Sequence, residues 1–160
     1  MAATPCSRPD IGGGLLLDEC MADTTSPVSE IPEDSAWGYL ASVEVGRIAV
    51  SAGDLPEIFP VNFCLDGESI VFRSAPGTKL EKLAINEHVV FEADGWNEEG
   101  GWSVVVKGLG ALITDEEELA RVKRAPLLPW IPTVKRNWVR ITPNRITGRA
   151  FFFGPEPAQD

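Results

Sequence analysis

The chain has 160 residues, of which 44% are hydrophobic and 24% are charged, so it is long and apolar enough to fold as one globular domain. Its 24 acidic and 14 basic residues give a net charge of −10, which argues against general nucleic-acid binding. No apolar run approaches the roughly 18 residues of a membrane helix, and no basic region precedes the apolar segment 12–17, so neither a membrane span nor a secretory signal is predicted.

The cysteine and histidine content limits the chemistry that the chain can perform. Three cysteines without a CxxC spacing are typical of a reducing compartment, so we expect a cytoplasmic protein. His88 is the only histidine, which excludes the usual zinc sites, and no nucleophile-elbow motif accompanies it. The sequence therefore predicts no metal site, and it leaves the catalytic residues unassigned.

The distribution of polar and small residues predicts one domain between two tails. Residues 1–30 are rich in Gly, Pro, Ser, Thr and Asp and lack periodicity, so they are predicted to form a disordered N-terminal tail. Residues 31–154 are the predicted domain and 155–160 a C-terminal tail. Met21 offers a second possible start, so the first twenty residues could be an extension that the native protein lacks.

Taken in chain order, the elements of the domain are mostly strands. Pro32 followed by acidic residues predicts a short helix that ends before Gly46. Further short helices are predicted over 78–86 and from about 114 to 124, each opening with a Thr that suits a helix start. Alternating or β-branched runs predict strands at 47–51, 57–65, 69–74, 88–93, 102–113, 137–141 and 145–152.

The spacing of these strands favours hairpins over parallel crossovers. Asp66-Gly67 is a strong hairpin signal, and Pro143-Asn144 is predicted to join the last two strands. The sequence thus predicts a mainly β fold with short α helices, an antiparallel barrel of six or seven strands. Pro60 leaves the amide row of its strand incomplete, so something other than a neighbouring strand could lie along that backbone.

One strand-turn-helix segment could hold a phosphate. It delivers Arg73 and Ser74 from a strand, reverses at a Pro-Gly turn, and starts a helix with Thr78 and Lys79. Helix-start amides, hydroxyls and two cations together suit a phosphate, although an ordinary capped helix with surface bases has the same pattern. The region 121–149 is a basic block that fits either an anionic ligand or a solvated stripe.

Several segments resemble one family in order and spacing. The chain is similar to the pyridoxamine 5'-phosphate oxidase-like flavoproteins, and more narrowly to their flavin-nucleotide-binding branch, which includes the nitroimidazole-reductase type. The similarity covers about residues 33–153. The segments that carry it are Gly-Arg-Ile-Ala-Val-Ser, Pro-Glu-Ile-Phe-Pro-Val-Asn-Phe, Ile-Val-Phe-Arg-Ser-Ala-Pro-Gly-Thr-Lys-Leu, Val-Val-Phe-Glu-Ala-Asp, Trp-Ser-Val-Val-Val-Lys-Gly and Trp-Val-Arg-Ile-Thr-Pro-Asn-Arg-Ile-Thr-Gly-Arg.

The resemblance implies a split β-barrel that binds FMN at a homodimer interface. It implies four groups of cofactor-binding residues. These are Arg73, Ser74, Thr78 and Lys79 at the phosphate, the backbone of Pro60, Val61 and Asn62 at the isoalloxazine edge, Trp102 and Ser103 as further contacts, and Trp138 and Arg140 reaching across from the partner subunit.

The resemblance also implies an oxidoreductase that transfers electrons from a reduced nicotinamide to a small acceptor. Three alternatives stay open at this point. The same fold can bind a deazaflavin cofactor in place of FMN, and a flavin carrier or redox sensor would use the same groove without turnover. A ligand-binding barrel with no redox role is the last alternative. Expected partners are a second copy of the chain and small molecules, with no nucleic acid and no membrane.

Overall fold

The computed structural model describes residues 26–125, 127 and 134–155. The predicted tail up to residue 25, the C-terminal tail from 156 and most of the Pro-rich loop around Trp130 lie outside the described residues. The described elements are β1 Val28–Ile31, α1 Glu33–Ala41, β2 Val45–Ser51, β3 Pro56–Leu65, β4 Ile70–Ser74, α2 Thr78–Ile85, β5 His88–Trp96, β6 Gly100–Leu112, α3 Glu116–Val122 and β7 Asn137–Phe152.

The seven described strands form one antiparallel sheet that curls into a partly closed ring. Their order is β1-β7-β4-β3-β2-β5-β6, and β7 also pairs with β6, which closes one side. Burial alternates along β2 and β6, as expected when one strand face lines a core and the other faces outward. The predicted mainly β split barrel is confirmed. Its largest fully buried side chains include Phe72, Phe91 and Ile48.

The last two predicted strands are one strand, so the predicted turn at Pro143-Asn144 is wrong. β7 runs unbroken for 16 residues, pairing with β4 in its first part and with β1 in its last. β6 follows it throughout, with a register shift between Lys107 and Gly108. Pro143 lies opposite Gly108, and such an irregularity accommodates a residue that has no amide to donate.

β1 begins before residue 31, the first residue of the predicted domain. Residues 28–30, placed in the tail by the sequence analysis, belong to β1, which pairs with β7 from Val28 opposite Phe151 to Ile31 opposite Gly148. A four-residue strand with one buried residue gives a weak local signal, and pairing with a distant strand is what stabilises it. No helix within the described ranges is both long and apolar enough to cross a bilayer.

Candidate functional site

The barrel is split along one side of β3. Among the described strands, β3 pairs with β4 only from Phe63 to Leu65, whereas the segment 56–62 pairs with β2 alone. We call the unpaired side of 56–62 the open edge. The Phe63 amide donates to the Glu44 carbonyl on the β2 side at 3.1 Å, so the alternation of an antiparallel ladder turns the backbone groups of Pro60 and Asn62 towards the open edge. A proline is tolerated there because no strand requires its missing amide.

The chain leaves β4 beside the open edge and turns into α2. Gly77, with φ of 144°, is the N-cap residue, and Thr78 is the first helical residue, not the cap that its type suggested. Only Gly readily adopts that backbone conformation. No side chain of the described residues caps the helix, and the first amides of a helix have no acceptor within it. The Leu80 amide donates to the Gly77 carbonyl at 2.9 Å, so the Thr78 and Lys79 amides are the ones left for a ligand.

Two lysines give this end of α2 a concentrated positive charge. The Lys79 ammonium lies 5.2 Å from the centre of the Phe59 ring and 5.7 Å from that of Phe72. Burial, and then the positive charge of Lys135, hold the pKa of Lys79 below its ordinary value. Among residues 26–125, 127 and 134–155, no carboxylate forms an ion pair with either lysine. This lysine pair, Lys79 and Lys135, suits an anion.

Arg73 holds Lys135 in place beside α2. Its Nε and Nη2 donate to the Lys135 carbonyl at 3.0 and 2.6 Å, and its guanidinium lies 5.2 Å from the centre of the Trp138 ring. The buried Ser74 hydroxyl donates to the Ala75 carbonyl at 2.9 Å. Arg73 thus has a structural partner of its own, and its part in the cluster is to bring a second cation to it.

Trp102 and Ser103 lie elsewhere on the barrel. β2 and β5 separate β3 from β6, a distance of about 14 Å at the usual strand spacing. Trp102 points inward, with its ring centre 5.2 Å from that of Tyr39, and Ser103 points outward. Within one chain, neither residue joins the lysine pair.

Ser103 lines an outward groove of about 510 Å³ between β1, β6 and β7. One carboxylate, Glu30, lines this groove together with three cations. In the described part of the chain they form no ion pair with a carboxylate. We call Lys107, Arg145 and Arg149 the outer cations.

Arg140 is engaged inside its own chain. Its guanidinium donates to Asp66 at 2.5 Å, to Glu118 at 2.6 Å and to the Ser69 hydroxyl. Burial alone would raise the pKa of Asp66, but hydrogen bonds from Arg140 and Arg121 bring it below its ordinary value. Arg140 therefore ties α3 to the β3–β4 hairpin.

Trp138 is buried under α3 and the segment that follows it. Its cluster includes Val71, Ile113 and Val122, with Cys64 packed against it. The indole thus forms part of a second, smaller core outside the barrel. Neither Trp138 nor Arg140 projects away from the chain.

The sequence analysis did not single out Lys135 or the outer cations. Three of these four cations lie in the basic block 121–149, and Lys107 lies on β6, which pairs with β7. The sequence therefore showed an excess of basic residues in this region but no motif that marks these four. No group of three His, Cys, Asp or Glu side chains that could hold a metal occurs in the ranges that the structure describes.

Comparison with known proteins identifies the family. The profile of the family described as Pyridoxamine 5'-phosphate oxidase matches residues 32–150, well over half of the chain. The chain belongs to the pyridoxamine 5'-phosphate oxidase family, as the resemblance indicated. An uncharacterised protein of Mycobacterium tuberculosis strain H37Rv is 45% identical over 93 residues, which are 58% of this chain and 84% of that protein.

Two solved structures agree in both sequence and fold. A FAD binding protein from Mycobacterium smegmatis is 42% identical with a TM-score of 0.70, and the match covers 78% of this chain and 99% of that one. A Corynebacterium glutamicum protein that carries the name of the same oxidase is 40% identical with a TM-score of 0.74, covering 83% and 100%. The chain therefore has the fold of a family with flavin-binding members.

Proposed function

We propose that this chain is a flavoprotein that binds FMN beside the open edge of β3 and works as an oxidoreductase. One observation carries the proposal. The lysine pair, Lys79 and Lys135, concentrates charge at the uncapped start of α2 with no described carboxylate to neutralise it. Bringing two ammonium groups together costs free energy that an anion removes, so the site is built for a ligand with a phosphate.

At the phosphate end, each residue has a distinct part. The two ammonium groups neutralise charge, and the exposed Thr78 hydroxyl and the first α2 amides donate hydrogen bonds. Arg73 keeps Lys135 at the site through its carbonyl. A bound phosphate would raise the pKa of Lys79 back towards its ordinary value, since it offsets both burial and the neighbouring charge.

At the ring end, the backbone does the binding. The open edge presents the Asn62 amide and the Pro60 and Asn62 carbonyls, which match the donors and acceptors along one side of an isoalloxazine ring. A bound flavin would supply the redox chemistry, which we propose to be electron transfer from a reduced nicotinamide to a small acceptor. Val61 points into the core and holds the strand in place.

The proposal includes a homodimer, because one chain leaves the ring end of the site open to solvent. Trp138 and Arg140, expected to reach a partner's flavin, both have partners in their own chain. The outer cations are better candidates for that part, since they line an outward groove and outnumber its one carboxylate, Glu30. A two-fold pairing would place this face over the open edge of the second chain and create two equal sites.

FAD is the second candidate cofactor. The observation that favours it is the 42% identity to a FAD binding protein over 78% of this chain. FAD and a deazaflavin cofactor both carry phosphates, so the lysine pair does not separate them from FMN. The three cofactors can be distinguished by incubating the protein with each one, desalting it and recording the visible spectrum of the cofactor that it retains.

The test is the replacement Lys79→Met, which removes one charge and keeps the apolar stem over Phe59. We expect FMN to bind at least about ten-fold more weakly, because a hydrogen bond to a charged group contributes about 1.5–3 kcal/mol. Riboflavin, which lacks the phosphate, should bind equally well to both proteins. Lys123→Met, at an exposed position, is the matched control.

Three outcomes have clear meanings. Equal loss of FMN and riboflavin would contradict the phosphate assignment. Flavin retention without oxidation of a reduced nicotinamide would favour the carrier or sensor over the enzyme. A wild-type protein that holds none of the three cofactors would overturn the proposal.

A further inference from the structure

Helix α2 bridges the split in the barrel through two contacts with the part of β3 that β4 does not reach. Near the start of α2, the Lys79 ammonium lies over the Phe59 ring at 5.2 Å. One turn later, the Lys82 ammonium forms an ion pair with the Glu57 carboxylate at 2.8 Å. Both β3 residues belong to the segment 56–62, which pairs with no described strand other than β2.

The two contacts run in register. Residues three apart share a helix face, and residues two apart share a strand face, so Lys79 and Lys82 meet Phe59 and Glu57 as matched pairs. The Lys82 side chain is only 16% exposed, whereas that of Glu57 is 44% exposed. In the part of the chain that the structure describes, this is the ion pair that joins α2 to the rest of the molecule.

Other contacts also hold α2 on the barrel, including Leu80 near its start, which packs against the main core. Leu83 is buried against β6, where a Cβ on Gly110 would come within 2.7 Å of its methyl group. After the helix, the Asn86 side chain donates to the Ser51 hydroxyl at 3.3 Å. Leu83 and Asn86 lie in the second half of α2 or beyond it, whereas Leu80, Lys79 and the first amides lie at its start.

We propose that Glu57 and Lys82 are a positioning pair that fixes the start of α2 relative to the open edge of β3. This inference rests on the proposed function. The start of α2 would hold the flavin phosphate and the open edge the ring, so the ion pair sets the separation of the two ends of one ligand. It would make the site selective for a flavin of the right length between ring and phosphate.

Positioning and simple charge effects predict opposite results for one variant. Glu57→Gln removes a negative charge near a phosphate site, so a pure charge effect would tighten FMN binding. If the pair positions α2, Glu57→Gln and Lys82→Met both weaken FMN binding, by about two- to five-fold, in the upper range of a partly exposed ion pair. Riboflavin binding stays unchanged in both, because it does not use the phosphate end.

The experiment titrates wild type, Glu57→Gln, Lys82→Met and the double variant with FMN and with riboflavin. We expect the double variant to bind FMN no more weakly than the single ones, since either change breaks the pair. The exchange of Glu57→Lys with Lys82→Glu should recover most of the affinity. Glu81→Gln is the matched control on the same helix, since Glu81 is exposed and lacks a described ion pair.

FMN binding to Glu57→Gln that is as tight as wild type, or tighter, would overturn the positioning role and leave the proposed function standing. Parallel weakening of FMN and riboflavin would also overturn it, because that result belongs to a general loss of structure. A wild-type protein that binds riboflavin and FMN equally would overturn the phosphate site and this inference with it. Melting of the unliganded variants, read by circular dichroism, verifies that each one is folded.

Discussion

The replacement Arg140→Met tests whether this arginine stabilises its own chain or reaches a cofactor. Arg140 is 18% exposed and donates to Asp66, Glu118 and Ser69, so its loss leaves a mostly buried carboxylate with one remaining cation, Arg121. Exposed ion pairs contribute about 0.2–1 kcal/mol, and breaking a fully buried one costs about 3–5 kcal/mol. The intermediate burial here places the expected loss at about 2 kcal/mol.

That loss corresponds to a melting temperature lower by roughly 8 °C, since a domain of this size shifts by roughly 4 °C per kcal/mol. Differential scanning calorimetry of the unliganded protein measures it. Arg121→Met is the matched control. Arg121 is 47% exposed and contacts the same carboxylate, so its replacement should cost less than about 1 kcal/mol.

The pH dependence gives a second measure of the same interaction. The folded-state pKa of Asp66 is lowered, against the effect of burial, by hydrogen bonds from Arg140 and Arg121. The contribution of ionised Asp66 to the stability of the fold is therefore complete above the ordinary aspartate pKa of about 3.9. It is lost as the pH falls through the folded-state pKa. In Arg140→Met, this acid-side loss of stability should be smaller than in wild type.

The result that would refute this reasoning is a variant that melts like wild type but no longer holds a flavin. Arg140 would then act on the cofactor, as the family resemblance implied, and its ion pairs would contribute little. A lower melting temperature with unchanged flavin affinity would support the structural role.

Two further predictions test the corrected strands. Gly108→Ala should destabilise the protein by about 2–3 kcal/mol, because its Cβ would lie 2.2 Å from the Thr142 carbonyl oxygen, whereas Gly154→Ala meets nothing within 4 Å. If Gly108→Ala and Gly154→Ala unfolded at the same urea concentration, the continuous path of β7 beside Gly108 would be contradicted. If residues 1–25 belong to a tail, their deletion should leave the melting temperature and flavin binding unaltered. Deletion of residues 1–31 also removes β1 and should lower the melting temperature. Equal effects of the two deletions would mean that the β1 pairing contributes nothing.

Much of the fold was predictable because its signals are local. Alternating apolar residues and the Asp66-Gly67 turn located β2, β3 and β4 within a few residues of where the structure has them. The prediction of a turn at Pro143-Asn144 was wrong, because a local turn signal cannot show that β6 pairs along β7 on both sides of these residues. β1 was missed because its pairing partner lies more than a hundred residues away.

The candidate site was predictable in its residue types and less so in its geometry. The pattern from Arg73 to Lys79 located the strand-turn-helix segment correctly, since it is continuous in sequence. Lys135 joins it from a segment about sixty residues further on, through an arginine–carbonyl contact that no motif encodes. Residue type alone likewise could not separate Arg140, which is paired with carboxylates, from the outer cations.

The sequence by itself determined the family, the antiparallel barrel and the strand-turn-helix segment, because hydrophobic periodicity, turn residues and short motifs act over a few neighbouring residues. The tertiary structure alone decided which cations are neutralised and which are not. Ion pairing depends on distances between side chains that are far apart in the chain, and burial determines the strength of the electrostatic interactions that each charge makes. The partners of Lys79, Lys82 and Arg140 are therefore properties of the folded barrel.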